Sequence, residues 1–178
     1  MKGAGFEATA KRKAEAVAAL AAAAAAHPEL GPDAKSDPRV AAAVVFQEVT
    51  PRVLRKTERA VILWVDDRPA NNANERRSLE ALGVRFILAT STEQALLQLR
   101  SQPVDVVISD MGRPPDSQAG YTLLHAVREA GNQVPFFIYA GSNAPEHKTE
   151  ALERGAQGLT NKPHELFAYV INALGGAA

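Results

Sequence analysis

The sequence predicts an α/β protein: a doubly wound, five-stranded parallel sheet with an N-terminal helical extension. Three observations carry this. From Arg59 on, five strand-like apolar runs alternate with five helical segments. The connections between them are short. The leading run, VILWV (61–65), is continuously apolar, as a strand buried on both faces must be.

The elements follow in order. Ala8 to Ala26 reads as an Ala-rich helix, because alanine has the best helix propensity. His27 to Pro38 is rich in Pro, Gly and Asp and reads as a linker. Asp37-Pro38 and Thr50-Pro51 each place a capping oxygen before a proline, so helices are expected from Pro38 to about Val49 and from Pro51 to Lys56. The strands are 61–67, 84–89, 104–110, 134–140 and 157–160. The helices between and after them are 71–82, 92–99, 121–130, 145–154 and 163–174. Gly83, Gly131, Gly155 and Gly175-Gly176 supply the stops. The domain division expected is 1–58 for the extension and linker and 59–178 for the α/β domain.

The chain has 178 residues, 20 basic and 20 acidic, and a formal net charge of zero. No basic stripe with interleaved aromatics occurs, which argues against nucleic acid as a direct partner. With no cysteine, disulfides, Cys-ligated zinc and a thiol nucleophile are excluded. His27, His125, His147 and His164 lack metal-ligand spacing. No run reaches the length of a membrane span. The basic cluster Lys11-Arg12-Lys13 before an alanine run is read as helix rather than signal peptide, since Glu15 interrupts the run.

Four side chains then stand out. Asp66 and Asp67 close the first strand, Asp110 closes the third, and Lys162 follows the fifth. In an open parallel sheet those ends lie at one carboxyl edge, where such folds bind ligands. Three carboxylates together repel one another unless a cation joins them. A hard, oxygen-rich site suits Mg²⁺, often shared with a phosphate. A lysine nearby can hold a phosphoryl oxygen.

In this order and spacing the residues resemble a response-regulator receiver domain of the chemotaxis-regulator type, over about Ala60 to Leu174. Also in the pattern are Pro103-Val104-Asp105, Gly120, Gly155-Ala156 and Lys162-Pro163. The resemblance implies a flavodoxin-like sheet order 2-1-3-4-5. It implies Asp110 as phosphoacceptor from a phosphohistidine, with Mg²⁺ on Asp67 and Asp110, on Asp66 through water, and on the Gly112 carbonyl. Lys162 would neutralise a phosphoryl oxygen. The implied setting is a cytoplasmic two-component or phosphorelay system, not an enzyme. A sensor histidine kinase or phosphotransfer protein would be the donor and another protein the target. The extension would serve partner docking or a homodimer, and no output domain is expected after the last helix.

Three departures bear on the switch. Ala140 stands where the family has Thr or Ser, Leu159 where it has Tyr or Phe, and the loop after Asp110 is about two residues longer. Ser142, two residues on, is the partial substitute considered for the missing hydroxyl, and the reading does not rely on it. The alternative is a pseudo-receiver, a binding module independent of phosphorylation. A flavodoxin-like cofactor protein would need a Gly- or Ser/Thr-rich loop where Arg68-Pro69-Ala70-Asn71 stands. An aspartyl phosphatase would need an acid at Gly112. Trp64 is read as core and Tyr139 as a half-buried strand residue. Arg68, Arg113 and His164 are read as solvent-exposed, and Asn71, Asn72 and Asn74 as flanking a helix start.

Overall fold

The computed structural model describes residues 2–175. Gly176, read above as part of the final helix stop, lies outside the described residues. The elements are α1 (Lys2–Ala25), α2 (Pro38–Glu48), α3 (Pro51–Thr57), β1 (Val61–Val65), α4 (Ala73–Glu80), β2 (Arg85–Ala89), α5 (Thr92–Ser101), β3 (Val106–Ser109), α6 (Ala119–Glu129), β4 (Phe136–Tyr139), α7 (Pro145–Glu153), β5 (Gly158–Thr160) and α8 (Pro163–Gly175). The five strands form one sheet in the order β2-β1-β3-β4-β5. β1–β3, β3–β4 and β4–β5 pair in parallel. This is the flavodoxin-like arrangement, preceded by helices.

The capping signals work as read. Asp37 accepts the Arg39 N–H, Thr50 accepts that of Val53, and prolines occupy the first turns of α2 and α3. Ser91 accepts the Gln94 N–H while the Gln94 side chain accepts from Thr90, a reciprocal cap at the start of α5. The segment after Asp67 differs from the expected single helix. Pro69–Asn72 is a 3₁₀ turn and α4 begins at Ala73. Asn72 occupies the cap position, but its side chain instead accepts from Arg76 Nε at 2.6 Å. Gly83 then turns the chain with φ of +95°, a conformation that favours glycine.

The chain gathers into two compact units. The first holds the N-terminal helices, Asn72–Arg85 and the segment from Lys162 on. Here α1 packs on α2, α4 and α8, and α2 and α3 pack on α8. Ala14, Val17, Ala18, Ala21, Ala24 and Ala25 are buried. Their helical spacing makes one face of small side chains, which lets neighbouring backbones approach closely. α1 starts six residues earlier than the alanine run suggested. Gly3 and Gly5 are poor helix formers, but this first stretch carries a contact between Phe6 and the Arg55 guanidinium, 5.9 Å from the ring centroid. Thr57, fully buried, donates to the Leu82 carbonyl at 2.8 Å and so ties the end of α3 to the turn after α4.

The second unit holds Val61–Asn71 and Phe86–Asn161. One sheet face supplies Leu63, Val65, Val107, Phe136, Ile138 and Leu159 to a core completed by Ala95, Leu123, Leu124, Val127 and Ala151 from α5, α6 and α7. The alternate strand residues Ile62, Trp64, Val106, Ile108 and Phe137 are buried as well. That two-sided burial is why VILWV shows no polar alternation. Trp64 is core, with its ring edge-on to Tyr139 at 5.9 Å.

Candidate functional site

The register of β1 and β3 pairs Val65 with Ser109. The residues that follow therefore leave the sheet side by side at its carboxyl edge. Backbone bonds fix the exits: Asp66 N–H donates to the Ala89 carbonyl at 2.9 Å and Asp110 N–H to that of Val65 at 3.0 Å. One carboxylate oxygen each from Asp66, Asp67 and Asp110 lies within 4.8 Å of the others. Octahedral Mg²⁺ with ligands at about 2.1 Å spaces its oxygens about 3 to 4 Å apart. Three hard oxygens at this separation fit such an ion after a small contraction.

Asp66 and Asp110 are half-buried and Asp67 is exposed. Burial pushes the Asp110 carboxyl up to about 6, against the opposing pull of the Arg113 guanidinium; the Asp66 charge adds to the rise and the Asp67 N–H offsets part of it. A bound dication would reverse this preference for the protonated acid.

Arg113 corrects the sequence reading. It is 6 % exposed, not solvated. Its Nη1 donates to Asp110 Oδ1 and to Ser109 Oγ, and its Nη2 to Thr92 Oγ1 and the Ala119 carbonyl. The burial comes from the loop turning back on itself: Arg113 and Asp116 exchange two backbone hydrogen bonds, of 2.9 and 2.8 Å. A single arginine in a polar loop gives no sequence signal for this. Arg68 is exposed, as read, and its N–H donates to Asp66 Oδ1 at 2.8 Å. His164 is also not free in solvent. It is half-buried, its Nδ1 lies 3.0 Å from Ser36 Oγ, and burial lowers its pKa.

Gly112 is exposed in the loop after Asp110. Gly120 closes that loop, with its N–H bonded to the Met111 carbonyl at 2.8 Å. Lys162 stands two residues past β5 and is half-buried. Ala140 and Leu159 both line a cavity of about 400 Å³, together with Met111, Tyr121, Ser142 and His147. Ser142 is already engaged, 2.5 Å from His147 Nδ1, and it accepts the Ala144 N–H.

A five-stranded parallel sheet of this order, with an acid pair ending β1 and a single acid ending β3, defines the receiver class of signalling domain. Residues 62–170 match the response regulator receiver domain family, and the chain belongs to it. It is 32 % identical over 108 residues to the sensor histidine kinase RcsC of Salmonella typhi, covering 61 % of this chain and 11 % of that one. It is 27 % identical over 148 residues to a gliding motility regulatory protein of Myxococcus xanthus, covering 80 % of this chain and 18 % of that one. The chain thus spans less than a fifth of these curated relatives. The chemotaxis response regulator CheY4 of Vibrio cholerae superposes with a TM-score of 0.56 at 26 % identity, over 65 % of this chain and 98 % of that one. A Francisella receiver domain shares the fold, with a TM-score of 0.57 at 23 % identity, over 65 % of this chain and 96 % of that one. Among the described residues no helix is long and apolar enough to cross a membrane.

Proposed function

We propose that this chain is a phosphoacceptor in a cytoplasmic two-component or phosphorelay system, modified on Asp110. The convergence of Asp66, Asp67 and Asp110 within 4.8 Å carries the reading. Asp67, Asp110 and the Gly112 carbonyl would hold Mg²⁺ directly and Asp66 through water. The ion supplies charge neutralisation for the transferring group. An Asp110 oxygen attacks phosphorus, the P–N bond to the donor histidine breaks, and the imidazole leaves with the electron pair and takes up a proton. The product is an acyl phosphate. Lys162 neutralises a phosphoryl oxygen. Such transfers depend on positioning and charge far more than on covalent help from the protein.

The domain carrying this chemistry is 59–178, with 1–58 as an extension for partner docking or self-association. The donor is a sensor histidine kinase or a phosphotransfer protein, and the output passes through protein contacts. Ala140 has no hydroxyl and Leu159 no ring, so the conformational readout differs from the family's usual one. Incubation of the full chain with a small phosphodonor and Mg²⁺, read by intact mass against Asp110→Asn, tests the proposal. A phosphoryl adduct on the wild type alone supports it. The absence of an adduct from both proteins refutes it and leaves a phosphorylation-independent binding module.

A further inference from the structure

The loop after Asp110 buries a permanent cation against the acid. Arg113 meets four acceptors: the Asp110 carboxylate, Ser109 Oγ at 3.1 Å, Thr92 Oγ1 at 2.8 Å and the Ala119 carbonyl at 3.2 Å. Only Asp110 carries charge. The other three belong to the end of β3, the first residue of α5 and the first residue of α6. A guanidinium is charged at every accessible pH and presents its donors in a rigid fork. Held at four points, it is a fixed positive charge on one oxygen of the carboxylate, beside the cluster a divalent cation would fill.

We infer that Arg113 is a built-in counter-ion of Asp110: a latch that holds the acid in the metal-free protein, opposes divalent-cation binding there, and couples the occupancy of the site to the starts of α5 and α6. The inference rests on the reading of Asp110 as phosphoacceptor. A dication sharing the carboxylate repels the guanidinium. A phosphoryl group on Asp110 removes the carboxylate charge but presents anionic oxygens that the same fork can bind in two-pronged fashion. Each event changes the force Arg113 exerts on Thr92 and on the Ala119 carbonyl. The pathway lies in the Asp110 loop and owes nothing to a hydroxyl at position 140. The competing account makes Arg113 a structural pin that shapes the loop and so helps the Gly112 carbonyl reach a metal. The two accounts predict opposite changes in affinity.

The test is Mg²⁺ titration of the full chain by calorimetry near pH 8.5, where Asp110 is ionised. It compares wild type, Arg113→Gln and Arg113→Lys, with circular dichroism to check folding. The latch requires Arg113→Gln to bind Mg²⁺ at least about tenfold more tightly, the scale of one charge-assisted hydrogen bond. Arg113→Lys keeps the charge but loses the fork, so its Mg²⁺ affinity should lie between those of wild type and Arg113→Gln. In wild type, Mg²⁺ should shift the amide resonances of Thr92 and Ala119, and in Arg113→Gln it should shift them much less. Equal or weaker Mg²⁺ binding by Arg113→Gln overturns the inference. A measurement on wild type alone guards against a variant that fails to fold: the Arg113 Nη resonances must shift and exchange faster with water on adding Mg²⁺, and unchanged resonances overturn the latch. An Asp110-dependent adduct together with no gain in Mg²⁺ affinity removes the latch and leaves the proposed function standing. Tighter Mg²⁺ binding with no adduct on any protein removes the proposed function, and with it the phosphoryl response of the latch, and leaves Arg113 only as a counter-ion that opposes the cation.

Discussion

Asp110 should make the metal-free protein less stable as pH rises through the mildly acidic range. Its carboxyl titrates near 6 in the folded chain, against an ordinary value of 3.8, chiefly because burial penalises the ionised form. Between those values the folded state binds more protons than the unfolded one, so unfolding free energy falls with pH. Only well below 3.8 is the acid neutral in both states, and there the folded protein carries no penalty. Above about pH 7 it is ionised in both and the penalty is complete. At 1.36 kcal/mol for each pH unit of separation, the whole effect is about 3 kcal/mol. The side chain is 15 % exposed, so solvent screening removes only part of this. Asn at position 110 has no proton to lose. Urea denaturation of wild type and Asp110→Asn in EDTA, at pH steps from about 4 to 7, isolates the contribution of Asp110 ionisation, because other titrations largely cancel in the difference. The variant should gain about 2 kcal/mol on wild type across that span, and millimolar Mg²⁺ should erase much of the gain by stabilising the ionised acid. A difference between the two proteins that stays flat with pH to within about 0.5 kcal/mol would refute burial as the dominant influence on Asp110.

Three further outcomes are expected. A Cβ at Gly120 would lie 2.5 Å from the Asp110 carbonyl oxygen and 3.3 Å from Met111 Cα; Gly120→Ala should cost about 2 kcal/mol in chemical denaturation through that overpacking and slow the modification of Asp110. The Arg128 guanidinium donates to the carbonyls of Gly155, Asn132 and Val134 at 2.9 to 3.2 Å; Arg128→Ala should cost about 2 kcal/mol, measured the same way, by stranding half-buried carbonyls. Thr57→Val removes a buried bond to the Leu82 carbonyl at 2.8 Å and should lower stability by about 1 to 2 kcal/mol, with the loss visible as faster amide exchange in Leu82 to Val84.

The order of elements and the sheet class were legible because each rests on local physics. Continuous apolar runs, proline-marked helix starts and helix-stop glycines need no tertiary information, and all five strands and both capped N-terminal helices lie where these signals put them. The acids were legible for a related reason: parallel strands of similar length end together, so an acid at the end of β1 and one at the end of β3 must meet. Lys162 was marked by its position after β5, and its charge is part of the proposed chemistry. Arg113 and His164 were misread because their burial depends on where distant backbone goes. Arg113 is enclosed by a loop that folds back through Asp116 and by the starts of two helices. His164 is met by Ser36, from a linker far away in sequence. Composition and periodicity report which face a residue takes on its own element. What lies opposite that face is decided only when the chain closes, and here that closure places a buried cation on the acid that the sequence had already marked.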